Sequence, residues 1–93
     1  MGRYLVLSNL TEVGRKAIRK NPKRIIDVNK ELEKMGVKVI EQFALLGPYD
    51  FASIIECLDN ETVMRMAMEL GARGTLKLMS LPAVHIEDLI KTL

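Results

Sequence analysis

An α+β fold, a four-stranded antiparallel sheet with its helices on one face, is predicted here by three features of the sequence. Four short runs rich in aliphatic and β-branched residues lie at 3–8, 37–46, 51–57 and 75–81. Stretches with apolar residues at helical spacing separate the first run from the second and the third from the fourth. The second and third runs are joined only by Gly47, Pro48, Tyr49 and Asp50, a hairpin-length connection of turn-tolerant residues.

The first strand is Arg3 to Ser8, ending at polar Ser8 and Asn9. Leu10 to Arg19 follows as a short helix with Thr11 as its N-cap, because a hydroxyl there can accept from the free amides of the first turn. Asn21 and Pro22 then predict a restart, the asparagine capping a new helix and the proline occupying its first position without losing a hydrogen bond. In that helix Ile25, Val28, Leu32 and Met35 form one apolar stripe, and Gly36 supplies a left-handed C-terminal residue.

The hairpin strands are Val37 to Leu46 and Phe51 to Cys57. Asp59 or Asn60 caps a further helix through Leu70, with Gly71 and Gly74 ending it. Thr75 to Leu81 is the last strand, broken at Pro82, and an amphipathic tail from Ile86 to Leu93 is expected to bury Ile86, Leu89, Ile90 and Leu93. The order βαββαβ is the split βαβ arrangement of ferredoxin-like folds.

Ninety-three residues suffice for one domain, spanning 1–93, that buries roughly 60 to 70% of the surface of its unfolded chain. Aromatics are scarce at 4%, so Leu, Ile, Val and Met must supply the bulk of the core. The formal charge of +2 is too small to argue for nucleic acid or an anionic membrane. The chain opens on a strand without a charged leader, and Asp50, Glu56 and Asp59 interrupt its most apolar region, so neither secretion nor a membrane span is expected. Cys57 is the single cysteine and lies in an apolar run. It reads as a small buried hydrophobe of a reducing, cytoplasmic compartment.

The strands carry apolar residues on both faces. In the second, Val37, Val39, Phe43 and Leu45 oppose Ile40, Ala44 and Leu46; in the third, Phe51, Ile55 and Cys57 oppose Ala52 and Ile54; in the first, Leu5 and Leu7 oppose Tyr4 and Val6. Helices on one side leave the other as an apolar patch larger than soluble monomers usually tolerate. A second copy of the same sheet is the simplest cover, giving a two-fold homodimer or a higher homo-oligomer. Burying about 600 Å² there would contribute about 15 kcal/mol gross, enough to outweigh the entropy of association. Folding the tail back over the face is the competing possibility, but about ten residues cover a sheet poorly.

The run Ala44-Leu45-Leu46-Gly47-Pro48-Tyr49-Asp50-Phe51, then Ile54-Ile55-Glu56, Leu70-Gly71-Ala72-Arg73-Gly74-Thr75 and Leu81-Pro82-Ala83, resembles the GYD domain family over nearly the whole chain. The resemblance implies a ferredoxin-like domain assembled as a dimeric α/β barrel, with no assigned activity. Domains of that build include cofactor-free monooxygenases, isomerases, haem-handling enzymes and amino-acid sensors, among which a shared fold does not choose. One departure is that Pro48 separates Gly47 from Tyr49, so no role needing an adjacent Gly-Tyr pair carries over.

Four residues stand out as ligand contacts: Tyr49 and Asp50 at the hairpin tip, Arg73 just past a helix C-terminus, and His85. Each also has a structural explanation: turn chemistry for the first two, complementing a helix dipole for Arg73, and plain exposure for His85. A lone histidine and a lone cysteine far apart predict no metal site, and no cofactor motif is present; Gly71 and Gly74 lack the lysine and hydroxyl of a phosphate loop.

The favoured reading is an oligomeric module binding a small, partly apolar molecule between sheet and helices. The alternatives are a cofactor-free monooxygenase-like or isomerase-like enzyme, with His85 or Asp50 moving a proton, and nucleic-acid binding through Arg15, Lys16, Arg19, Lys20, Lys23 and Arg24. No aromatic is interleaved in that basic run for base stacking, which disfavours the nucleic-acid alternative.

Overall fold

The computed structural model describes residues 2–93. Along the chain run β1 (Gly2–Leu10), α1 (Glu12–Lys20), α2 (Arg24–Lys34), β2 (Lys38–Ala44), β3 (Phe51–Cys57), α3 (Asn60–Ala72), β4 (Leu76–Ala83) and α4 (Ile86–Thr92). The strands form one antiparallel sheet in the order β2-β3-β1-β4. This is the ferredoxin-like α+β arrangement that the hydrophobic pattern predicts.

One face of the sheet carries the core. Tyr4 and Val6 of β1 and Ile55 and Cys57 of β3 meet Leu32 of α2, Val37, and Val63, Met66 and Leu70 of α3. Burial pushes the Cys57 thiol pKa up, and its Sγ lies 3.5 Å from the Asp59 carbonyl, so the cysteine is the buried hydrophobe expected. Tyr4 reaches the end of the core, where its phenol donates to Asn60 Oδ1 at the start of α3. Its pKa is raised, first by burial and then by neighbouring Cys57, Asp59 and Glu61.

Helix ends follow local chemistry. Thr11 caps α1, its hydroxyl accepting from Gly14 N at 3.1 Å and donating to the Gly74 carbonyl at 2.7 Å, while its own N–H donates to the Thr75 carbonyl at 3.0 Å. Asp59 caps α3, accepting from Thr62 N at 2.9 Å and from the Thr62 hydroxyl at 2.6 Å. These bonds favour the carboxylate and lower the Asp59 pKa.

Several boundaries differ from the sequence reading. Asn21 closes α1, its N–H donating to Ala17 O at 3.0 Å, and does not cap α2; the N-cap of α2 is Lys23, without a side-chain bond. The two helices thus share one tight turn, in which Arg24 N reaches Asn21 O. Gly71 stays helical, and the left-handed residue that ends the segment after α3 is Gly74 at φ +72°. β1 continues past Ser8 to Leu10, and Pro82 does not break β4. Proline is tolerated there because β4 is an edge strand, paired only with β1.

The largest correction concerns faces in β2. Val39 pairs with Ile55, but Glu41 pairs with Ile54, so a β-bulge places one extra residue at Ile40. Strict alternation predicts Val39 and Phe43 on one face. The bulge reverses the phase, so Val39 faces the helices while Phe43 stands opposite Ala52 on the other side.

The tail also departs from expectation. No residue of α4 is buried: Ile86 is 65% exposed and Ile90 60%, and Leu93 just after it 95%, so the helix extends beyond the sheet without covering it. Its apolar stripe finds no surface within the chain, because β4 delivers it past the edge opposite Arg3. Among the described residues no helix is long and apolar enough to cross a membrane.

Candidate functional site

Two surfaces flank the sheet, one open and one enclosed. On the open face the strand register aligns side chains in rows across all four strands. One row is Phe43, Ala52, Leu7 and Met79; the next is Glu41, Ile54, Leu5 and Leu81. Seven of these eight are apolar, and Phe43 (51%), Met79 (45%) and Leu81 (41%) are markedly exposed. A charged row bounds them, where Arg3 Nε pairs with Glu56 Oε2 at 3.0 Å beside Lys38.

The enclosed surface lies between helices and sheet. The most deeply buried side chains in it are Val37, Ile55, Cys57 and Met66, toward the end of the sheet where Cys57 pairs with Gly2. Toward the other end, beneath α1 and the start of α2, is a cavity of about 80 Å³. Its walls are apolar, with Leu10, Ile18, Ile25, Val28, Phe51 and Leu76 only half-buried. A second hollow of about 60 Å³ adjoins it and shares Ser8, Asn29 and Gln42 among its lining.

Polar groups are concentrated here. Asn29 on α2 donates to Gln42 Oε1 on β2 at 2.8 Å, and Ser8 and Ser53 are buried on the helix-facing side of central strands. Arg24 and Arg73 both line the larger cavity. Arg73 ties α3 to α2: its Nη2 lies 2.6 Å from Glu31 Oε2 and 3.4 Å from Glu69 Oε1. The Glu31 interaction, partly opposed by burial, raises the Arg73 pKa, while its Nη1 is buried without a hydrogen-bond partner. Arg24 is exposed, and among the described residues no carboxylate lies within ion-pair distance of it.

The four residues singled out in the sequence do not converge. Tyr49 lies toward the open face, its hydroxyl 4.0 Å from Met79 Sδ. Asp50 fastens the hairpin to β1: its carboxylate accepts from Leu10 N at 2.8 Å, and its own N–H reaches Ser8 O and Asn9 Oδ1 at 3.0 Å each. Arg73 alone lines the cavity. His85 is exposed at the start of α4, beyond Ala83, which pairs with Arg3 at the sheet end opposite the hairpin tip.

Asn29, Gln42 and Ser8 are not singled out in the sequence, and Arg24 enters there only as the last member of the basic run, not as a contact for a small ligand. Ser8 carried a signal in the alternation Tyr4, Val6, Ser8, Leu10, which continues the helix-facing side of β1. The position of Gln42 depends on the bulge and has no such signal.

A ferredoxin-like sheet with one face covered and one open defines the class of protein. The family model for the GYD domain matches residues 4–93, and the chain belongs to that family. It is 47% identical, over all of its length and 99% of the relative's, to the glutamine synthetase and cystathionine beta-lyase binding protein of Thermus thermophilus. Among solved structures, TTHA0845 from Thermus thermophilus superposes with a TM-score of 0.57 at 18% identity, covering 91% of this chain and 95% of that one. MtbAldR superposes with a TM-score of 0.61 at 22% identity, covering 91% of this chain and 54% of the other. At these identities the structural matches show the fold alone.

Proposed function

We propose that this protein is a non-catalytic, self-associating binding module that docks onto enzymes of amino-acid metabolism. The observation that carries the first half is the pair of apolar rows on the open face, which α4 leaves uncovered. Two copies packed face to face bury Leu5, Leu7, Ile54 and Phe43 against their counterparts and leave the charged row at the rim. Such packing is the dimeric α/β barrel arrangement. The second half draws on the relative whose name specifies glutamine synthetase and cystathionine beta-lyase, similar along its entire length.

Sedimentation velocity of the full chain at micromolar concentration tests the assembly, and a stable monomer would remove it. Titration against purified Thermus thermophilus glutamine synthetase and cystathionine beta-lyase, read by biolayer interferometry, tests the docking. Saturable binding to either enzyme supports the reading, and no binding to either at tens of micromolar counts against it.

A second reading is favoured by the cavity between α1, α2 and the sheet: the module also takes a small, partly apolar molecule there. Proton transfer by Asp50 or His85 receives no geometric support, because one carboxylate is held by a main-chain amide and the imidazole stands at the other end of the sheet. The basic run from Arg15 to Arg24 surrounds the turn between α1 and α2, next to the cavity, and is better placed to attract a small anion than to track a nucleic-acid backbone.

A further inference from the structure

We propose that the cavity beneath α1 and α2 selects a compact aliphatic carboxylate, with Arg24 as the group that recognises its charge. This rests on the second reading above and adds the chemical class of the ligand.

Size sets the first limit. A cavity of about 80 Å³ takes on the order of five to eight water-sized volumes, since one water needs roughly 10–15 Å³ measured this way. That suits a molecule of about eight non-hydrogen atoms. The walls set the second, because Leu10, Ile18, Ile25, Phe51 and Leu76 are aliphatic or aromatic and lie only half-buried. A branched hydrocarbon body removes that surface from water at little cost, as filling an apolar pocket does in general.

Charge sets the third. Arg73 is offset by Glu31 and Glu69, so its guanidinium does not by itself attract an anion, although its buried Nη1 retains an unused donor. Arg24 has no such partner among the described residues and lines the same cavity. Lys16 is paired with Glu12 at 3.4 Å, but Arg19, Lys20 and Lys23 add further positive charge along the adjoining turn. A guanidinium offers a forked pair of donors matched to a carboxylate, and like charges clustered at a cleft concentrate small anions there. The Asn29 and Gln42 amides and the Ser8 hydroxyl give the carboxylate or its neighbouring carbon further hydrogen-bonding groups within the same hollow.

The test is a two-dimensional amide NMR titration of the full chain with 4-methylpentanoate and its uncharged counterpart 4-methylpentanamide, repeated on Arg24→Gln. The variant changes an exposed side chain without an ion-pair partner, so folding is retained and is checked by the dispersion of the same spectrum. The expected result is saturable shifts at Leu10, Ile25, Phe51 and Leu76, about tenfold tighter binding of the acid than of the amide, and loss of that preference in Arg24→Gln. Equal affinity for acid and amide, or a preference that survives Arg24→Gln, would overturn the ligand class while leaving the cavity as a binding site. Absence of shifts at the cavity with either compound at ten millimolar would overturn the small-molecule reading itself.

Discussion

The carboxylate of Asp50 accepts the main-chain N–H of Leu10 at 2.8 Å, and so the tip of the β2-β3 hairpin is pinned to the last residue of β1. Asp50 N completes the clasp through Ser8 O and Asn9 Oδ1. A residue conspicuous as a candidate acid therefore serves to hold the end of the sheet against which the cavity forms.

Replacing Asp50 by alanine leaves the Leu10 amide without its acceptor, and a loss of about 1–2 kcal/mol in unfolding free energy is expected. Asp50→Asn, which keeps an acceptor oxygen, should lose less. Urea denaturation of the three proteins checks this, and an Asp50→Ala variant as stable as the parent would show that the bond contributes nothing.

Gly14 is set by close approach, not by backbone conformation. A Cβ at this position would lie 2.1 Å from the Thr75 carbonyl oxygen, a main-chain atom that cannot swing aside. Gly14→Ala forces α1 off the α3-β4 connection, with an expected cost of about 2–3 kcal/mol. A lowered thermal midpoint with reduced protection of the Thr11 amide, which donates to the Thr75 carbonyl, is the predicted signature.

Leu7 stands at the centre of an apolar row on a central strand, between Ala52 and Met79. Leu7→Glu places a charge where the second copy is proposed to pack, so the expected outcome is a folded monomer by sedimentation with an unchanged far-ultraviolet circular dichroism spectrum. An oligomer that persists in this variant would direct the interface elsewhere.

Asp59 titrates below the ordinary carboxylate range because Thr62 donates to its ionised form twice. A folded pKa below the unfolded one means that the stabilisation is complete above the unfolded value, near 3.8, and disappears as pH falls through the native one. Asp59→Asn should be less stable than the parent at pH 7, and the gap should narrow at pH 3. Thermal denaturation at the two pH values measures the difference, and a constant gap would count against the linkage.

Much of the fold was legible in the sequence because it rests on local chemistry. The aliphatic runs placed the four strands, Thr11 and the Asp59-Asn60 pair marked two helix starts, and the Leu5/Tyr4 and Ile54/Ile55 alternation gave the two faces of β1 and β3. Apolar residues on both sides of the same strands also established that one surface of the sheet would remain without a helix to cover it.

The tertiary structure decided what depends on register and on contacts between distant segments. The bulge at Ile40 moved Phe43 to the open face, which no period-two count detects, since one extra residue inverts every side chain beyond it. The dispersal of Tyr49, Asp50, Arg73 and His85, and the meeting of Arg24, Asn29, Gln42 and Ser8 around one cavity, followed from strand order and helix placement. Hydrophobic periodicity reports which side of an element is buried. Only the packed chain settles which buried sides meet, and where they fail to fill the space between them.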